Sequence, residues 1–202
     1  MHTVVVRVWL PDRPGALGQV ASRIGSVKGD VLGIDILESG AGRVIDELVV
    51  ALPDESIVDL MVKEVHAIDG VSVEHVRPTV GEHTDGGELA LMLAADLAGT
   101  PPEDRTAAFV RSVARLTEGT WVQLAGTAGS VSVEGDAPTP DYVLALVEGS
   151  RHLGGHVMHD LFWADLPRTG MWVAAGRPDR PVHDRERRRL ELFARLADAL
   201  LA

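Results

Sequence analysis

Within residues 1–77, four stretches are extended and apolar, and two stretches between them repeat an apolar residue every third or fourth position. Residues 3–9 read TVVVRVW, a β-branched run closed by Pro11 and Pro14, which predicts a buried strand. The period then changes. Leu17, Val20, Ala21, Ile24 and Val27 fall on one face of a helix of about three turns, and Gly29-Asp30 ends it. Residues 31–38 and 43–52 predict two strands joined by the Ser39-Gly40-Ala41-Gly42 turn, a hairpin. Pro53-Asp54 opens a second helix with Asp54 as its N-cap. Ile57, Leu60, Met61, Val65 and Ile68 form its stripe, Asp69-Gly70 stops it, and residues 71–77 make the fourth strand. The order βαββαβ is the split-βαβ, ferredoxin-like arrangement. Each helix has a single apolar face, so both should cover the same side of one antiparallel sheet.

Residues 78–87 break all periodicity with proline, glycine and polar residues, and read as a linker. Beyond it the pattern predicts helices at 88–98 and 103–117, short strands at 121–125 and 130–134, and a helix at 140–151. A strand pair follows at 157–165 and 170–176. From Asp184 a long helix runs to the end of the sequence. Leu190, Phe193, Ala194, Ala197 and Leu201 line one of its faces, and Leu192, Leu196 and Leu200 widen it, which suggests burial against the domain and a partner helix. At 202 residues the chain suits two small domains, 1–77 and 88–202.

Hydrophobic content of 46% with 24% charged residues is that of an ordinary globular protein. The net charge of −11 lowers the odds of nucleic acid or an anionic membrane as partner, since both recruit basic residues. Without cysteine there is no disulfide, thiolate metal site or cysteine nucleophile. The sequence enters its first strand with no basic segment before an apolar run, and no apolar run reaches the length of a membrane span. The cytoplasm is the expected compartment.

Leu10-Pro11-Asp12-Arg13-Pro14-Gly15-Ala16-Leu17 ends a strand and opens a helix, and GDVLGIDI follows at 29–36. Together they resemble the signature of ACT domains. The resemblance implies a regulatory domain that pairs with a second copy and commonly binds an amino acid at the pair interface. The residues expected to form that site are Asp12, Arg13, Pro14, Gly15, Ala16 and Leu17, with Asp30, Val31 and Leu32 from the start of the second strand. Gly15 lets a ligand approach the backbone, and Pro14 has its φ set for a helix start. Amides of Gly15, Ala16 and Leu17 at the positive end of the helix dipole suit a carboxylate. Asp12 and Asp30 could receive an ammonium. Val31 stands where such domains often offer an amide side chain, and it has no group to hydrogen-bond a ligand. The same loop can also be read simply as a good start for a helix.

Residues 160–201 (DLFWADLPRTGMWVAAGRPDRPVHDRERRRLELFARLADALL) are similar to the last strands and terminal helix of GAF-like domains. Between Glu134 and Val157 there is room for one helix, where that family usually places further pocket-forming segments. The expected fold class is α+β throughout: a ferredoxin-like ACT domain followed by a compact GAF-like domain.

His152, His156, His159 and Asp160 lie close in sequence, but Gly154-Gly155 breaks a shared helix face, so surface histidines are expected rather than a metal site. Arg185, Arg187, Arg188 and Arg189 are interleaved with Asp184, Glu186 and Glu191, the pattern of a solvated, ion-paired helix start. Trp163 and Trp172 read as a cross-strand core pair. Asp46 and Glu47 are strand neighbours on opposite faces and cannot act as a carboxylate pair. No nucleophile elbow, P-loop or dinucleotide fingerprint is present. No catalytic residue, cofactor or metal is therefore nominated. A non-catalytic regulator that binds an amino acid and forms a homodimer is the expectation, with a ligand-free oligomerisation or protein-interaction module as the alternative.

Overall fold

A computed structural model describes residues 1–79, 84–126, 129–152 and 159–202. The chain divides into two compact units, Met1–Asp85 and Gly86–Ala202. The expected linker at 78–87 spans that division, and its residues 80–83 lie outside the described ones.

Unit 1 runs β1 (His2–Pro11), α1 (Ala16–Ser26), β2 (Asp30–Gly40), β3 (Arg43–Leu52), α2 (Val58–His66) and β4 (Ser72–Pro78). The strands form one antiparallel sheet in the order β2-β3-β1-β4, the ferredoxin-like topology. Val4, Val6, Val8 and Leu10 of β1 and Leu48, Val50 and Leu52 of β3 share a core with Val20 and Ile24 of α1 and Met61 and Val65 of α2. Alternation along each strand sends these positions to one face. Full burial of such a side chain contributes about 1.5–3 kcal/mol. Both helix stripes are narrower than the periodicity predicts: Ala21 and Leu60 are exposed. Asp54 accepts a hydrogen bond from the Ser56 amide, as an N-cap does, but a short 3-10 turn at Glu55–Ile57 precedes α2.

Edge strand β2 is irregular. Its register shifts between Val31 and Gly33 and again between Ile36 and Glu38. Each bulge inserts one extra residue. The second insert, Leu37, is buried, whereas Leu32, Ile34 and Ile36 are half exposed. On β3, Glu47 pairs with Arg7 directly across the ladder, with Nε donating to Oε2 at 2.7 Å, and Asp46 points to the other face.

Unit 2 comprises α3 (Gly86–Gly99), α4 (Arg105–Thr117), β5 (Trp121–Gly126), β6 (Gly129–Gly135), α5 (Pro140–His152), β7 (Leu161–Leu166), β8 (Met171–Gly176) and α6 (Asp184–Leu201). Its sheet has the order β6-β5-β8-β7 with antiparallel neighbours. Val122, Leu124, Phe162, Leu166 and Val173 pack under α3, α4 and α6, where the rings of Phe109 and Phe193 lie 5.7 Å apart. On the opposite face, α5 places Val143 and Val147 against Leu161, Trp172 and Ala174, with Trp121 and Trp163 at the margin. Trp163 and Trp172 share this face diagonally: Trp163 sits opposite Ala174, and Trp172 opposite Asp165. The strand expected from residue 157 begins at Leu161, and its residues 157 and 158 lie outside the described ones.

Polar anchors hold α6 near both of its ends. Arg177 makes a bidentate pair with Glu186 at 2.7 and 2.9 Å, donates to the Thr117 and Pro181 carbonyls, and stacks on Phe162. Glu186 also accepts from the His183 amide, completing a capping box. Near the other end, Asp198 accepts from the amides of Arg168 and Thr169 and from the Thr169 hydroxyl. Burial pushes the Asp198 carboxyl up, but these donors and the Arg168 charge outweigh it and hold it below the usual carboxylate range.

Candidate ligand site at the start of the first helix

The loop between β1 and α1 is tied at both ends. The Asp12 amide donates to the Gly42 carbonyl at 2.9 Å, fixing the loop beside the β2–β3 turn, and the Arg13 amide donates to the Pro11 carbonyl at 2.8 Å. Gly15 is the N-cap of α1 with φ of +86°. A side chain there would have open space, so what demands glycine is the left-handed backbone rather than a close approach. Helix geometry begins only at Ala16, so Pro14 precedes the cap instead of occupying the first turn. The Ala16 amide is already taken by the Arg13 carbonyl at 3.2 Å. Leu17 and Gly18, also in the first turn, remain as the backbone donors that the helix itself does not satisfy.

Asp12, Arg13, Pro14 and Gly15 are exposed, Ala16 is buried, and Leu17 packs at the edge of the core. At the start of β2, Asp30 is exposed, Leu32 is half exposed, and Val31 packs against the core. The two halves of the expected site do not meet within one chain. Asp30 sits opposite Ala51 on β3, whereas Leu10, which leads into the loop, sits opposite Val44. At about 3.3 Å per residue these levels are about 23 Å apart.

What the loop does border is a cavity of about 500 Å3 lined by Arg13, Gly15, Gly18, Gln19, Ser22, Arg23, Ile68 and Asp69. It takes up Arg13 and Gly15 and leaves out the other seven expected residues, Asp12, Pro14, Ala16, Leu17, Asp30, Val31 and Leu32. Gln19 accepts from the Arg13 guanidinium at 3.2 Å, and Arg23 donates to Glu64 of α2 at 2.9 Å. Two guanidiniums and the Asp69 carboxylate give the cavity groups of both signs. Gly15, Gly18, Gln19, Ser22 and Arg23 recur at the spacing of one helix face. That small and polar stripe, opposite the apolar one, was the signal available in the sequence. Ile68 and Asp69 join through the packing of α2 against α1, which no local pattern reveals.

The other constellations lie outside this cavity. Arg187 donates to the Leu161 and Val182 carbonyls, and Arg188 pairs with Glu191 at 3.0 Å. The His152 ring lies 2.9 Å from the Glu148 carbonyl, and His159 and Asp160 form an exposed turn. His156 lies outside the described residues. Among the described residues no group of three or more metal-ligating side chains gathers, and no helix is long and apolar enough to cross a membrane.

The family model of the ACT domain matches residues 4–70, which are β1 to the end of the α2–β4 turn. No curated protein matches the chain. Among solved structures, the ACT domain from GTP pyrophosphokinase of Chlorobium tepidum is 13% identical, with a TM-score of 0.31 over 41% of this chain and 91% of that one. A formyltetrahydrofolate deformylase from Pseudomonas putida KT2440 is 14% identical, with a TM-score of 0.29 over 47% of this chain and 38% of that one. An unknown protein from Galdieria sulphuraria is 14% identical, with a TM-score of 0.34 over 76% of this chain and 94% of that one. An ACT domain implies a regulatory, small-ligand-binding role in general.

Proposed function

We propose that this chain is a non-catalytic regulator whose unit 1 binds a free amino acid between two copies. The β1–α1 loop of one copy and the start of β2 of the other would form the site. The observation that carries this reading is the separation just described. The two halves lie at opposite ends of one sheet, and the strand at its edge bears half-exposed Leu32, Ile34 and Ile36. Exposed apolar edges are usually paired or covered. Two β2 strands pairing antiparallel about a two-fold would set the start of one beside the end of the other, where the loop lies. Arg13 and the Leu17 and Gly18 amides suit the carboxylate of a zwitterion, and Asp30 of the second copy suits its ammonium. Leu32 and Ile34 nearby favour an apolar side chain.

Unit 2 is proposed as a GAF-like module that transmits or receives the signal. A four-stranded sheet covered by helices on both faces supports that assignment. The cytoplasm is the compartment that fits this role. One observation favours the alternative of a ligand-free interaction module: Val31 turns into the core and offers the site no polar group.

A melting survey across the standard amino acids at millimolar concentration tests the proposal. A ligand at a hundred times its dissociation constant stabilises the native state by about 2.7 kcal/mol. At least one amino acid should raise the melting temperature. Arg13→Ala should remove that shift and leave the fold intact, because the side chain is exposed and, among the described residues, bonds Gln19 alone. If no amino acid acts, the interaction module is the better reading. A shift that survives Arg13→Ala places the ligand elsewhere.

A further inference from the structure

Unit 2 carries a second cavity, of about 420 Å3, between α3 and α6. That volume falls in the range of small-molecule sites. Its floor is opened by small residues of α3: Gly87, Ala90 and Ala94. Leu91, Leu192 and Leu196 form walls that are 74%, 50% and 42% exposed, an unusual amount of leucine to leave in water. The charges are not spread along the groove. Arg185, Arg188 and Arg189 all lie at one end, in the first two turns of α6, and the opposite end is apolar with Leu192, Phe193 and Leu196. No carboxylate is among the lining residues.

The cationic end is also where α3 begins. A side chain at Gly86 would run into the Arg189 guanidinium, so the absence of one lets that group lie against the first residue of α3. The positive end of the α3 dipole adds to the arginine charges there. Arg188 pairs with Glu191, but both partners are about half exposed, and such surface pairs are weak enough for a ligand carboxylate to compete.

We propose that this groove binds an amphiphilic carboxylate with an unbranched aliphatic tail. The head group would sit on Arg185, Arg188 and Arg189, and the tail would lie along Leu91, Leu192 and Leu196. From Arg188, where the head group would sit, to Leu196 the helix spans about 12 Å. An extended alkyl chain advances about 1.25 Å per carbon, from its bond length and angle, so a tail of roughly ten carbons matches the groove. The segregation of charge argues against a second copy as occupant. A two-fold axis through the groove would lay each arginine end on the apolar end of the other copy, or on its arginines, and either leaves buried charge unmatched.

Isothermal titration of the full chain with sodium decanoate below its micelle concentration tests this. Decyltrimethylammonium, with the same tail and the opposite charge, serves as the comparison. Decanoate should bind one equivalent at least tenfold more tightly. The double variant Arg188→Gln/Arg189→Gln should bring the two affinities within a factor of about three by weakening decanoate alone. Ala94→Phe should fill the groove and abolish decanoate binding, with circular dichroism confirming that both variants are folded. Leucine methyl resonances of Leu91, Leu192 and Leu196 should shift with decanoate. Equal affinity for the two amphiphiles, no saturable binding, or binding indifferent to both variants overturns the proposal. So does a fall in mass by light scattering on Leu192→Glu, which would make the face a contact between copies.

Discussion

Asp46 is a carboxylate in a place built for apolar side chains. It sits mid-strand on β3 between Val8 and Ile36, is 2% exposed, and its Oδ1 has no hydrogen-bond partner among the described residues. Burial first, and the Asp35 carboxylate second, push its carboxyl above the usual range. A raised native pKa means that the folded state holds the proton more tightly than the unfolded chain. Stability is then greatest below the unfolded value near 3.9 and falls as pH rises through the native one. Asp46→Asn removes the titration while keeping the shape. Measured by urea unfolding between about pH 4 and pH 7, its stability relative to the parent should improve steadily as pH rises. A flat difference across that window would show that Asp46 does not carry the linkage. Asp54 and Asp198 behave oppositely: their carboxyls are held low, Asp54 chiefly by Ser56, so both favour the fold above the ordinary carboxylate range.

At the scale of elements, β2 decides the behaviour of unit 1. Its two bulges interrupt the edge ladder, and bulges usually discourage pairing with another chain. Its half-exposed Leu32, Ile34 and Ile36 act the other way, because leaving them in water costs more than covering them. The second effect should prevail. Light scattering at micromolar concentration is expected to report twice the 21.6 kDa chain mass. Ile34→Glu should return the protein to a monomer without changing its circular dichroism, since the side chain is half exposed on the edge strand. A parent that is already monomeric would remove the interface on which the proposed amino-acid site depends. The helices raise no such question. In α1 and α2 the buried positions face the sheet, and the polar stripe of α1 faces the cavity.

For the whole molecule, each unit closes its own core. The cluster of β1, β3, α1 and α2 side chains lies entirely in unit 1, and the two clusters of unit 2 lie entirely in unit 2. A fragment of residues 1–79 contains all four strands and both helices of unit 1. It should fold alone and melt in one cooperative transition by circular dichroism. A fragment without cooperative melting would mean that its core is not self-sufficient. Side-chain hydrogen bonds tie the elements of unit 2 to one another: Arg177 reaches Thr117 and Glu186, and Asp198 reaches Arg168 and Thr169.

Much of unit 1 was legible in the sequence by itself. The hairpin between β2 and β3 turns within the four residues predicted, although Ser39 and Gly40 extend β2 and only Ala41-Gly42 make the turn; Asp54 caps the 3-10 turn ahead of α2 rather than α2 itself; and the βαββαβ order stands, because turns, caps and periodicity are set within a few residues. The opposite faces of Asp46 and Glu47 follow from strand alternation alone. Only the tertiary structure decided that the Ala16 amide is occupied, that the loop and the start of β2 sit at opposite ends of one sheet, and that Ile68 and Asp69 complete the cavity. It alone shows the burial of Asp46, the Arg177–Glu186 pair and the arginine-ended groove between α3 and α6. Each of these joins residues far apart in the chain, or depends on what covers a face, and such contacts arise from packing rather than from any local pattern of residues.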